Sequence, residues 1–125
     1  MITALRREWR RLVNRCVWSW DGWKDTWANE HSFRSWVAVV AISSVLTVLL
    51  PLSAAERAVI LPLGVLLLAM ELMNTAVERA VDYISTEQHP LARRAKDAAS
   101  AAVAVTAIAG GVAWAVVLWR LALGE

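Results

Sequence analysis

Glu71, Asn74, Glu78 and Asp82 fall at i, i+3, i+7 and i+11 of the run Met70-Glu71-Leu72-Met73-Asn74-Thr75-Ala76-Val77-Glu78-Arg79-Ala80-Val81-Asp82. On a helix turning about 100° per residue that spacing puts all four on one face. The residues before them, Ala58 to Met70, carry no charge. A carboxylate so close to an apolar stretch is costly in lipid unless it is paired or does chemistry. The stretch reads as a membrane helix whose acidic stripe emerges at one end.

Other polar groups are expected at the same level: Glu30, Lys96, Asp97 and Ser100. Carboxylates gathered in a partly dry site repel one another unless a cation joins them. Carboxylates from separate segments with open positions suit Mg²⁺, which keeps waters and binds substrate phosphates. Lys96 and the N-terminal arginines supply donors for phosphate charge. Glu71 lies about 10 Å from Glu78 along the helix axis, on the bilayer side, where it suits a general base acting on a lipid hydroxyl. Together these groups point to phosphoryl transfer from a soluble nucleotide to a membrane alcohol. A proton-coupled transporter and a structural subunit remain open on residue chemistry alone. The five glycines form no phosphate loop or dinucleotide pattern, and no protein-kinase signature set is present. Two histidines and one cysteine cannot build a zinc site, and His31 and His89 read most simply as polar surface residues.

The elements that must hold these groups follow from the hydropathy pattern. The chain has 125 residues, 58% of them hydrophobic, too few for two cores and too apolar for an ordinary soluble domain. Ser35 to Ala55 and Ala98 to Trp119 are uncharged and long enough to span a bilayer. Ala58 to about Val81 makes a third span if Glu71, Glu78 and Arg79 lie toward one end or face protein. The formal charge of +2 implies no nucleic-acid partner. Arg6, Arg7, Arg10, Arg11, Arg15, Lys24 and Arg34 precede the first span, and Arg79, Arg93, Arg94 and Lys96 surround the second connection. Arg57 and Arg120 are alone on the other side, so the N-terminus is expected in the cytoplasm and the C-terminus outside. Cys16 then falls on the reducing side, without a partner for a disulfide. No signal-peptide pattern opens the chain, so the spans are expected to direct insertion themselves.

The expected architecture is all-α: one membrane domain over 1–125, with an interfacial helix at about 3–28 and membrane helices at about 32–52, 56–82 and 91–122. Leu5, Trp9, Leu12, Val13, Cys16, Val17 and Trp20 oppose Arg6, Arg7, Arg10, Arg11, Asn14 and Arg15 on the first, an amphipathic pattern suited to a membrane surface. Asp21-Gly22 is expected to break it, leaving a short second piece with Trp23 and Trp27. Five of the eight tryptophans lie between Trp9 and Trp27, which fits an interfacial aromatic belt or the walls of a lipid headgroup site. Asn29 or Ser32 is expected to cap the first span. Ser53 and Glu56 fit a capping box for the second, and Pro62 is placed in its first turns. Pro90 marks a loop or a helix start. The third span carries small residues at fourfold spacing, Ala98, Ala102, Thr106 and Gly110, with Ala99, Ala107, Gly111 and Ala115 beside them.

Three segments carry a resemblance to a known family: Trp27-Ala28-Asn29-Glu30; Glu71 through Asp82; and Arg94-Ala95-Lys96-Asp97-Ala98-Ala99-Ser100-Ala101-Ala102-Val103. They resemble the prokaryotic diacylglycerol kinases over nearly the whole chain. The resemblance implies a homotrimeric, multi-pass protein of the bacterial inner membrane with a surface helix and three spans. It implies active sites shared between neighbouring subunits, and transfer of the γ-phosphate of Mg-ATP to diacylglycerol, giving phosphatidate.

By matching positions, the resemblance implies that Glu71 is the catalytic base with Asn74 beside it. Glu30 and Glu78 would hold the metal-nucleotide. Arg11, Trp18, Lys96 and Asp97, with the turn Glu87-Gln88-His89, would contact the nucleotide. Ser19, Trp20, Trp27, Phe33, Arg34 and Ser100 fall where the family meets its lipid. Trp18 and Gln88 stand where close relatives have tyrosine, and Arg93 where glycine is common, which bears on the contacts to the nucleotide base. The family has an undecaprenol branch, but the Trp27–Arg34 and Arg94–Ala102 segments look more like the diacylglycerol branch.

Overall fold

The computed structural model describes residues 2–124, with side chains from position 4. Four helices account for almost all of it: α1 (Ile2–Asn29), α2 (His31–Leu49), α3 (Ala54–Ile84) and α4 (Pro90–Leu123), with no strand among the described residues. The last three are long and apolar enough to cross a membrane. Only a fraction of each apolar window is buried within the chain, at most 22%. The spans therefore offer most of their surface to lipid or to other copies. α3 packs against both α2 and α4 and is the central element.

α1 does not break at Asp21-Gly22. It runs unbroken to Asn29, and the Lys24–Asp21 ion pair at 2.9 Å spans the glycine. A glycine costs an exposed helix only about 1 kcal/mol, too little to stop a helix already propagating on both sides. From Ala4 to Gly22 every side chain of α1 is exposed, and the helix meets the rest of the chain only near its C-terminal end. There Thr26 is buried and Trp23 packs edge-to-face on Phe33, with ring centroids 4.8 Å apart.

Neither expected residue caps α2. The N-cap is Glu30, in an extended conformation and with no side-chain cap bond. Asn29 closes α1 instead, its amide donating back to Asp25, and Ser32 lies inside the first turn of α2. The α1–α2 elbow is fastened by Arg34, whose Nη1 donates to the carbonyls of Trp27 (2.8 Å) and Ala28 (3.2 Å). These acceptors have no partner within a helix that ends at Asn29, and a cation there also opposes the helix dipole.

At the opposite end the Ser53–Glu56 capping box is present in both directions. Glu56 also accepts from Arg120 Nε at 2.7 Å, while Arg120 Nη2 donates to the Pro51 carbonyl at 3.2 Å. One arginine thus ties the end of α4 to the α2–α3 turn, beside the apolar cluster of Leu52, Ile60 and Val117. Pro62 lies deeper in α3 than the first turns, yet the helix continues through it. Membrane helices tolerate such a residue where neighbouring groups satisfy the freed carbonyl. Gly64 allows the close approach of α2: a Cβ there would sit 3.1 Å from Val40 Cγ1. The small-residue face of α4 is open in the single chain around Gly110 and Gly111, where a Cβ would meet nothing within 4 Å.

Candidate functional site

α3 carries the acidic stripe as one continuous helix, because nothing between Met70 and Asp82 interrupts its hydrogen bonding. Glu71 is 3% exposed and Thr75, one turn further, 5%. They continue the buried line of Ile60 and Leu67, so Glu71 lies on the packed side of α3. Asn74 Nδ2 donates to Glu78 Oε1 at 3.2 Å, while Asn74 Oδ1 is buried without a hydrogen-bond partner among the described residues. A buried amide oxygen left unpaired is uncommon and calls for a ligand or water.

Three of the expected carboxylates, Glu30, Asp82 and Asp97, meet a cation within the protein. Arg79 pairs with Asp25 and, at 3.2 Å through Nη2, with Glu30 Oε1. Lys96 Nζ donates to Asp82 Oδ1 at 2.6 Å. Neither Asp25 nor Arg79 is among the site residues expected from the sequence. Their opposite charges were visible, but not that a helix of the N-terminal segment would stop beside α3.

A cleft of about 600 Å³ opens beside this cluster, between the ends of α3 and α4. Asp82, Lys96 and Asp97 line it with the turn Glu87-Gln88-His89, so five expected nucleotide contacts share one concavity. The turn owes its shape to local bonds. Ser85 Oγ accepts from Glu87 N at 3.0 Å, and His89 caps α4 by accepting from Leu91 N at 3.2 Å, with Pro90 at the helix start. Asp97 pairs with Arg93 at 3.6 Å on the open surface.

The remaining expected site residues are scattered in the single chain. Arg11, Trp18, Ser19 and Trp20 lie on the exposed length of α1, where Arg11 pairs with Glu8 at 2.6 Å. Trp27 and Ser100 are exposed, Phe33 is fully buried beneath Trp23, and Arg34 is committed to the α1 elbow.

The oxygens on α3 fit a magnesium ion that arrives with phosphates. Glu78 receives one neutral amide donor in the contacts seen, and the unpaired Asn74 Oδ1 is a hard oxygen beside it. Among the described residues no three acidic, histidine or cysteine side chains converge as a self-sufficient metal site. Mg²⁺ bound through one or two carboxylates and substrate phosphates does not require one.

Fold and site together define a small helical membrane protein with three candidate spans, whose acidic and cationic groups collect at one end of the central one. The sequence model described as prokaryotic diacylglycerol kinase matches residues 17–118. The chain is similar to diacylglycerol kinase of Escherichia coli K12, with 34% identity over 87% of this chain and 89% of that protein. It is also similar to diacylglycerol kinase of Pseudomonas aeruginosa PAO1, 38% identical over 87% and 89%, and to that of Helicobacter pylori J99, 36% identical over 91% and 86%. The chain belongs to the prokaryotic diacylglycerol kinase family. It is therefore an enzyme, a kinase of the membrane.

Proposed function

We propose that this protein transfers the γ-phosphate of ATP, bound with Mg²⁺, to the free hydroxyl of diacylglycerol, giving phosphatidate and ADP. One observation supports the reading above the rest. In a chain of this family, a carboxylate (Glu71) is buried on the helix that also carries the Asn74–Glu78 pair toward its end. In the reaction, Glu71 takes the proton of the lipid hydroxyl as its oxygen forms the new bond to the γ-phosphorus. The bond from phosphorus to the bridging oxygen breaks, and ADP departs. Positioning and charge stabilisation dominate phosphoryl transfer, and the chain's groups suit both tasks. Glu78, with Glu30, would hold the magnesium ion, which when bound neutralises phosphate charge. Lys96 and the cleft at Glu87-Gln88-His89 would hold the nucleotide. Arg11, Trp18 and Asp97 would complete its contacts, and Ser19, Trp20, Trp27, Phe33, Arg34 and Ser100 would meet the lipid.

The working unit in this reading is a homotrimer in the bacterial inner membrane, with α1 lying on the cytoplasmic surface. The scatter of nucleotide and lipid residues over one chain, and the open small-residue face of α4, favour sites completed by a neighbouring copy. The decisive assay supplies labelled ATP in detergent micelles with diacylglycerol and undecaprenol offered separately. Label should enter the diacylglycerol product. Preference for undecaprenol would move the enzyme to the other branch of the family, and transfer to neither would end the kinase reading.

Orientation has its own test. On a Cys16→Ser background, single cysteines at positions 24 and 124 should be labelled from the cytoplasmic and the periplasmic side respectively. Labelling of both from one side would eliminate three crossings.

A further inference from the structure

Four side chains from three elements form a run of polar contacts to which the proposed reaction assigns only one member, Glu30. Asn29, the last residue of α1, donates through Nδ2 to the carbonyl of Asp25 and to its Oδ1, both at 2.9 Å. The other carboxylate oxygen, Asp25 Oδ2, accepts from Arg79 Nη1. Arg79 Nη2 reaches Glu30 Oε1 at 3.2 Å. Asp25 and Glu30 lie 54 and 49 residues from Arg79, so the run joins α3 to the end of α1 and to the α1–α2 break.

The two carboxylates are held differently. Both oxygens of Asp25 are engaged, which makes it an anchor rather than a ligand. Arg79 engages Glu30 through Oε1 alone, and Glu30 sits at an extended N-cap position where its side chain makes no cap bond to α2. The direction of its side chain is therefore set from α3. Arg79, Asp25 and Glu30 side chains are 45%, 51% and 30% exposed. Ion pairs so wet contribute little to stability. What the guanidinium supplies is direction, since its planar fork presents donors at a fixed angle to two carboxylates at once.

We propose that Arg79 is a positioning residue for phosphoryl transfer. Anchored on Asp25, it holds the Glu30 carboxylate against α3 at the residue next to Glu78, so that the two acids act on one metal-nucleotide. The inference rests on assigning Glu30 and Glu78 to the metal-nucleotide, and its test separates the two ideas.

The test titrates Mn²⁺ with a non-hydrolysable ATP analogue against the full-length protein in micelles, followed by electron paramagnetic resonance. Steady-state kinetics are measured alongside. Arg79→Ala should weaken Mn-nucleotide binding and raise the KM for Mg-ATP by about tenfold, the low end for loss of a group that orients a metal ligand. kcat and the KM for lipid should stay within about twofold, because no group touching the reacting atoms is lost. Should Arg79→Ala fail to assemble, Asp25→Asn, which keeps the bond from Asn29, should show the same pattern with a loss below about tenfold. Glu30→Gln is the reference. If it weakens Mn-nucleotide binding while Arg79→Ala and Asp25→Asn do not, Arg79 positions nothing and the metal assignment stands. If Glu30→Gln is without effect, both ideas fall. A loss confined to kcat in Arg79→Ala would also overturn the positioning role.

Discussion

Glu71→Gln should leave a folded, assembled protein that transfers phosphate at least about 10³-fold more slowly, within the 10²–10⁴ range that general-base catalysis supplies. The substitution keeps shape and hydrogen-bonding capacity and removes only the basic carboxylate proposed to take the proton. Glu71 is almost entirely enclosed, beside the equally buried Thr75, so a charge there is held away from bulk water. Neutralising such a carboxylate removes a desolvation cost, and stability should hold or rise. The measurements are labelled-phosphate transfer to diacylglycerol and thermal unfolding of the purified oligomer in detergent. Near-normal transfer would end the assignment of Glu71 as base. Loss of assembly together with activity would show instead that its carboxylate is a structural partner.

Glu78→Gln tests the metal side of the site. The amide of Asn74 donates to Glu78 Oε1 at 3.2 Å, and a glutamine oxygen at that place can accept the same bond. The side chain should keep its place while the site loses one negative charge. Loss of a direct ligand should exceed the 10–100-fold cost of losing an outer partner, so the apparent Mg²⁺ and ATP requirements should rise by about 100-fold or more. Half-saturation by diacylglycerol should hardly move, because the lipid hydroxyl is assigned to the Glu71 end of the stripe. Unchanged nucleotide kinetics would reduce Glu78 to a helix-end acid hydrogen-bonded to its neighbour.

The features legible from sequence are those decided within a few residues. Three apolar stretches of bilayer length declare themselves by composition, and all three are helices. The placement of Glu71, Asn74, Glu78 and Asp82 on one face follows from helical rotation alone. The Ser53–Glu56 box is likewise local, completed within one turn of chain, and of the two roles open to Pro90, loop or helix start, the structure has the second. Family membership rests on the same short-range patterns.

Tertiary structure decided which charge meets which, and how the ends of elements are closed. Asp25, Glu30 and Asp82 carry no partner choice in the sequence. Two of them share Arg79 and the third takes Lys96 only because α1 stops beside α3 and α4 folds back along it. The Glu56–Arg120 contact joins positions 64 residues apart. Long charged side chains accept many partners of opposite sign, so their choice depends on helix angles and loop lengths that periodicity does not encode. The same limit explains the misplaced cap: Asn29 is the last residue of α1, where Arg34 fastens the elbow, rather than the cap of α2. It also explains the unpaired oxygen of Asn74. Its residue type and face are readable, but that no donor among the described residues reaches it is a property of the packed helices around it.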